Sequence, residues 1–195
     1  MSEIIIVTGQ SGVGKDYLVE RAQPDTYGIN HANWGDFFGE FAKQDKDTIV
    51  DSFTPDDERT AAIQKKIIQR VVTLQPAIVT SHPAKIEHGI EYVNWDIEKE
   101  LNPSDYLFVK ADPELIAERV HERNMRGERK TPELSVDEID YIQTRKLEMM
   151  KALTQYVGSR LTVLDNNDEN VDDNVSQIRS LLERLAIERK NNEDS

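Results

Sequence analysis

The sequence predicts an α/β domain built on a parallel sheet. Three observations carry this. A short β-branched run, EIIIVT at residues 3–8, opens the chain; a glycine-dense turn follows it directly; and strand-length apolar segments then alternate with segments of helical period. Alternation of this kind implies βαβ units with right-handed crossovers. At 195 residues, against roughly 100–200 per domain, a single domain over residues 1–187 is expected.

Each element has its own signal. Residues 3–8 read as a buried strand, and Lys15–Arg21 as a helix closed by Pro24. Tyr27–Asn33 reads as a second strand, and Gly35–Lys43 as a helix with Phe37, Phe38 and Phe41 on one stripe. After the polar stretch DKDTIVDSFTPDDE, Thr54-Pro55-Asp56-Asp57 starts a helix to about Leu74, carrying Ile63, Ile67, Val71 and Leu74 at helical spacing. Residues 76–81 form strand three, Asn94–Leu101 a short helix, and Asp105–Lys110 strand four. Asp112-Pro113-Glu114 caps a helix to Arg123, and Ser135 with Glu138 forms a capping box on a long helix to Tyr156. Leu161–Leu164 is strand five. Val171–Ile187 is an amphipathic last helix, and residues 188–195 (ERKNNEDS) read as a solvated tail.

Composition removes several function classes. The 37 Asp+Glu outnumber the 24 Lys+Arg, for a net charge of −13, which argues against binding nucleic acid. With no cysteine there is no disulfide, thiolate metal site or cysteine nucleophile. The opening apolar run, Ile4–Val7, is far too short for a membrane span, and no signal peptide pattern opens the chain, so no membrane and a cytoplasmic location are expected.

The strongest motif is Gly9-Gln10-Ser11-Gly12-Val13-Gly14-Lys15, which fits G-x-x-x-x-G-K between a strand and a helix. Glycines let the backbone wrap a phosphate, so that N–H groups and a helix N-terminus converge on its oxygens. Lys15 then reaches the β and γ phosphates of ATP, and Gly9 through Asp16 and Tyr17 make up the expected ATP-binding segment. The residue after the lysine is Asp16, where Ser or Thr is usual. Two readings stand: an acid that suits the helix dipole, or a hard oxygen ligand for Mg²⁺.

A second cluster places Arg119, Arg123, Arg126, Arg129 and Lys130 within twelve positions, where a helix gives way to the loop MRGERKT. Arginines that arrive on closure stabilise a transferring phosphoryl group. The alternative is a solvated face paired with Glu118, Glu122 and Glu128. Arg145, on the next helix, is expected to face the same cleft, so Lys15, Arg123, Arg126, Arg129 and Arg145 are the catalytic candidates.

In order and spacing, these pieces resemble the nucleoside monophosphate kinases, most closely the archaeal type of adenylate kinase. VTGQSGVGK is similar to that family's opening loop, NWGDFF to its N-F-G segment, and IQK to part of the following helix. TSHPAK resembles its D-T-H-S-T-I-K, ELNPSDYLFV its E-E-L-N-P strand entry, and DNNDE its last adenine-side loop. The resemblance implies a three-layer α/β/α fold with a five-stranded parallel sheet and a lid at about 123–134. It also implies Mg²⁺–ATP as donor, a nucleoside monophosphate (foremost AMP) as acceptor over residues 33–85, and a possible homo-oligomer. Acceptor candidates are Asn33, Trp34, Phe38, Arg59, His82 and Lys85, with a core aromatic stripe, a structural histidine and a solvated arginine as the bland alternatives.

Three departures bear on the acceptor. Thr80 stands where the family has an acid, Asp16 is an added carboxylate, and DKDTIVDSF carries no arginine. The alternatives are therefore a kinase of another small phosphorylated metabolite or deoxynucleotide, or a nucleotide-dependent switch or assembly ATPase. A GTPase switch would be expected to carry N-K-x-D, and no Asn-Lys pair occurs in the chain.

Overall fold

Five parallel strands form the centre of the domain. A computed structural model of the chain describes residues 3–42, 58–87, 89–128 and 131–193. In chain order the elements are β1 (Ile4–Gly9), α1 (Lys15–Ala22), β2 (Asn30–Asn33), α2 (Trp34–Ala42), α3 (Glu58–Thr73) and β3 (Ala77–Thr80). A hairpin of β4 (Ala84–Glu87) and β5 (Ile90–Val93) follows, then α4 (Trp95–Leu101), β6 (Asp105–Lys110), α5 (Pro113–Met125), α6 (Val136–Val157), β7 (Arg160–Asp165) and α7 (Val171–Glu193). The main sheet runs β2-β3-β1-β6-β7, with every neighbouring pair parallel.

Period-2 alternation along β1 sorts the core into two layers. Ile4 and Ile6 face α2, α3, α4 and α6, where Phe38, Ile67, Val71, Leu101 and Met150 are buried. Ile5 and Val7 face α1, α5 and α7, where Leu18, Ile116, Ile178 and Leu182 are buried. This is the expected three-layer α/β/α fold. Truncating a fully buried side chain such as Ile67 to alanine should cost about 2–5 kcal/mol. At the sheet's far edge, the buried Asp105 accepts two hydrogen bonds from Arg160 (2.9 and 3.0 Å) and one from Arg184 (2.8 Å), tying β6 to β7 and α7.

The capping box on α6 forms: Glu138 N–H donates to Ser135 Oγ at 3.3 Å and Ser135 N–H to Glu138 Oε2 at 2.8 Å. Some expectations change. The second strand is confined to Asn30–Asn33, because Pro24–Tyr27 forms a 3-10 turn ended by Gly28. Asp112 takes the N-cap position of α5 without a side-chain cap bond, leaving Pro113 as the start signal. The stretch 188–193 of the expected tail continues α7 as far as Glu193, with the good helix formers Glu188, Arg189 and Lys190 carrying it on; 189–191 are exposed. The hairpin at 84–93 was not expected. The helix start at Thr54–Asp57 and the stretch DKDTIVDSF lie outside the described residues.

Candidate functional site

The loop between β1 and α1 is held by backbone geometry that only glycine fits. Gly14 is the N-cap of α1 with φ +84°, and a Cβ there would lie 2.6 Å from Asn166 Nδ2. A Cβ on Gly9 would meet the carbonyl oxygen of Val109 at 2.3 Å. Asn166, at the end of β7, donates its buried Nδ2 to Val13 O across 2.7 Å and so clips the loop to the opposite side of the sheet. These contacts set the loop at the carboxyl edge of the strands, where open α/β sheets bind ligands.

A cleft of about 1530 Å³ runs from this loop across the sheet edge. One end is lined by Gln10, Ser11, Gly12, Gly14, Lys15, Asp16 and Tyr17. The other is walled by Asn33, Trp34, Phe38, His82, Lys85 and Ile86, with Gln64, Asn94 and Glu98 beside them. Phe38 therefore serves both readings, buried in the core at 8 % exposure and edging the cleft. A side cavity of about 490 Å³ opens past Gly14 and Tyr17, between Arg119, Asn166, Asp168 and Val171. There Arg119 pairs with Asp168 at 2.8 Å, and Arg21 stacks over the Tyr17 ring at 5.7 Å.

Beside Lys15, Asn33 Nδ2 approaches Asp16 Oδ1 at a long 3.4 Å. Asn33 pairs in register with Thr80, whose buried hydroxyl has no hydrogen-bond partner among the described residues. Asp16 and Thr80 thus put a carboxylate and an uncommitted hydroxyl, both hard oxygens, at the phosphate loop. That donor set fits Mg²⁺, which takes one or two carboxylates and draws its other ligands from phosphates and water. No cluster of three or more metal-ligating His, Cys, Asp or Glu occurs among the described residues.

Arg123 joins the arginine segment to the loop by a direct side-chain bond. Arg123 donates to Ser11 Oγ at 3.2 Å and to Thr131 Oγ1 at 2.7 Å. Asn124 closes the base of the segment by a reciprocal pair with the Thr131 backbone, at 2.8 and 3.0 Å. Arg126 edges the cleft but is exposed and paired with Glu128 at 3.2 Å. Arg129 and Lys130 lie outside the described residues.

Two of the expected site residues lie off the cleft lining. Arg145 is not among the cleft-lining residues: it forks onto Glu91 of β5 at 2.8 and 3.1 Å and also pairs with Glu148. Its neighbour Lys146 turns into the cleft instead and donates to Gln10 Oε1 at 3.1 Å. Glu138, Tyr141, Ile142 and Lys146 of α6 line the cleft, and Arg145 shares that broad face but has its guanidinium turned to Glu91. Arg59, at the start of α3, does not line the cleft and donates to the Ala42 carbonyl at 3.2 Å.

Residues that the sequence did not single out also shape the site. Gln64 lies inside the quoted IQK segment, and Lys146 one step from Arg145. Glu98 carried no signal; its carboxyl is 1 % exposed and accepts from Tyr106 Oη at 2.7 Å. Burial pushes that carboxyl up to about 7, against the opposing Tyr106 hydrogen bond.

Residues 8–140 match the model of a family described as "AAA domain". The adenylate kinase of Methanopyrus kandleri is 26% identical over 200 residues, covering 95% of this chain and all of that protein. Among solved structures, the shikimate kinase of Bacteroides thetaiotaomicron superposes with a TM-score of 0.60 at 14% identity, covering 92% of this chain and 98% of that one. A gluconokinase of Sinorhizobium meliloti 1021 gives 0.57 at 17% identity, covering 96% and 95%. No described helix is long and apolar enough to cross a membrane.

Proposed function

The chain belongs to the AAA domain family, and from that premise we propose that it is a P-loop kinase that moves the γ-phosphoryl group of ATP to a small nucleotide or metabolite. The observation that carries this reading is the shape of the cleft. One continuous space joins a phosphate loop to a second, aromatic-walled compartment large enough for another substrate, as a transferase requires and a simple ATPase does not.

Backbone N–H groups of the loop and Lys15 hold the donor phosphates, and Arg119 with Tyr17 borders the cavity offered to the nucleoside. Arg123, already joined to Ser11, supplies positive charge beside the loop, with Arg126 and Arg129 as further members of a lid over about 123–134. Asp16 would hold Mg²⁺, with the Thr80 hydroxyl beside it. When bound, the ion neutralises charge on the β and γ phosphate oxygens. The bond from the bridging oxygen to the γ phosphorus breaks as one to an acceptor oxygen forms, and ADP departs.

Within this class AMP is one acceptor reading, supported by the full-length match to an archaeal adenylate kinase. The wider reading, a nucleoside monophosphate or another small phosphorylated metabolite, has the better support from the residues. From β2 to α4, Lys85 is the Lys or Arg that lines the cleft among the described residues, and Arg59 is turned away. A panel of monophosphates and small phosphorylated metabolites, assayed for ATP consumption with Mg²⁺, tests the reading. Acceptor-dependent consumption supports it; phosphate release that no acceptor changes supports an ATPase instead.

A further inference from the structure

Arg145 and Lys146 are consecutive on α6 and bond two different elements, the β4–β5 hairpin and the phosphate loop. Lys146 bonds Gln10 of the phosphate loop at 3.1 Å. Arg145 makes two parallel bonds to Glu91, Nε to Oε1 at 2.8 Å and Nη2 to Oε2 at 3.1 Å, across 54 positions of sequence. Paired bonds of this fork type fix direction as well as distance. The guanidinium also holds the Glu91 carboxyl below the usual range.

The element that Glu91 belongs to seats Ala84, Ile86 and Val93 against the core, and the fork adds a directional polar hold to that packing. β4 and β5 form a separate two-stranded sheet of four residue pairs, not joined to the main sheet. A lone hairpin of this size is marginal in water and takes its orientation from what it packs on. Ile86, directly across from Glu91, and its neighbour Lys85 both line the acceptor end of the cleft. Whatever sets the hairpin therefore sets the acceptor wall.

We propose that Arg145 is a positioning residue for the acceptor, acting through Glu91 to fix the β4–β5 hairpin relative to the phosphate loop. This rests on reading the cleft as a two-substrate kinase site. It differs from a role at the reacting phosphoryl group, because the fork commits the guanidinium to the hairpin. The ion pair is half-exposed, so its effect on global stability is small while its effect on wall geometry is direct.

A double-mutant cycle tests it, with Arg145→Gln, Glu91→Gln and the pair, after confirming by circular dichroism and ATP binding that each is folded. The expected result is a rise of about tenfold in acceptor KM for either single variant, with kcat and ATP KM within about twofold. The double variant should be no worse than the singles. Loss of kcat in Arg145→Gln with Glu91→Gln silent would place the arginine on the reacting group and overturn the proposal. So would additive effects, or acceptor KM unchanged in both. If the unmodified protein shows no acceptor-dependent turnover, the kinase reading itself fails and this inference falls with it; failure of the cycle alone leaves that reading standing.

Discussion

Tyr106 donates its hydroxyl to Glu98 across 2.7 Å beneath the acceptor end of the cleft, with both side chains almost fully buried. The pair joins α4 to β6, and burial drives the two groups in the same direction. The Glu98 carboxyl rises to about 7, and the Tyr106 hydroxyl is raised by desolvation and by the field of Glu98. Folded, Glu98 binds its proton more tightly than unfolded, so this stabilisation is complete below the ordinary value of 4.5 and is lost as pH rises through about 7. The loss amounts to about 3 kcal/mol, taking the shift at 1.36 kcal/mol per unit.

Asp105 has the opposite sign. Burial pushes its carboxyl up, but bonds from Arg160, Ser104 and Arg184 outweigh this and hold it below the usual 3.8. Its contribution is present above that value and is lost as pH falls through the lowered one. Chemical denaturation across pH should therefore show stability falling at both ends. Glu98→Gln should flatten the fall between pH 5 and 8 and leave the acid limb intact. A fall between pH 5 and 8 as steep as in the unmodified protein would remove Glu98 as its source.

Asp16→Asn keeps the shape of the residue and deletes its charge. If the carboxylate serves only the helix dipole, about 0.3–1 kcal/mol of stability is lost and Mg²⁺ dependence is unchanged. We expect instead that the Mg²⁺ concentration for half-maximal activity rises severalfold, with Tm nearly constant. Titration calorimetry of Mg²⁺ with a non-hydrolysable ATP analogue gives a second readout.

Much of the architecture was legible because it depends on periodicity, capping and turn chemistry. Strand β6 falls at Asp105–Lys110 as expected, and Ser135 with Glu138 starts α6. The phosphate loop was legible because its function and its conformation need the same glycines. The hairpin was not. Its strands are four residues each, Lys85 and Glu91 interrupt the apolar pattern, and its hold on α6 is a contact between residues distant in sequence. Arg145 was expected at the cleft because the sequence shows an arginine after the capping box but not that Glu91, 54 positions away, takes its guanidinium. Glu98 was invisible because a glutamate among the charged residues of WDIEKEL reads as surface until its bond from Tyr106 is seen.

Arg123→Ala removes a guanidinium that touches the phosphate loop directly. We expect the rate constant to fall by about 10² or more, with directly measured ATP affinity changed much less. Arg126→Ala and Arg129→Ala should act in the same direction. Normal turnover in all three would make the segment a solvated face.

Asn166→Ala unclips the loop from β7 and leaves the Val13 carbonyl without its 2.7 Å donor. A lost buried partner costs about 1–3 kcal/mol, and the loosened loop should raise the KM for ATP more than that for the acceptor. Denaturant titration and initial rates check the two halves separately.

The central claim is transfer from ATP at the phosphate loop to a second small molecule in the same cleft. Lys15→Ala, compared with the unmodified protein across a panel of monophosphates and phosphorylated metabolites, tests it most directly, following ADP and the phosphorylated acceptor together. The expected result is stoichiometric ADP and phosphorylated acceptor for at least one member of the panel, abolished by Lys15→Ala while the far-ultraviolet circular dichroism and Tm stay unchanged. A folded Lys15→Ala protein with undiminished transfer, or ADP formed with free phosphate alone whatever acceptor is present, would contradict it.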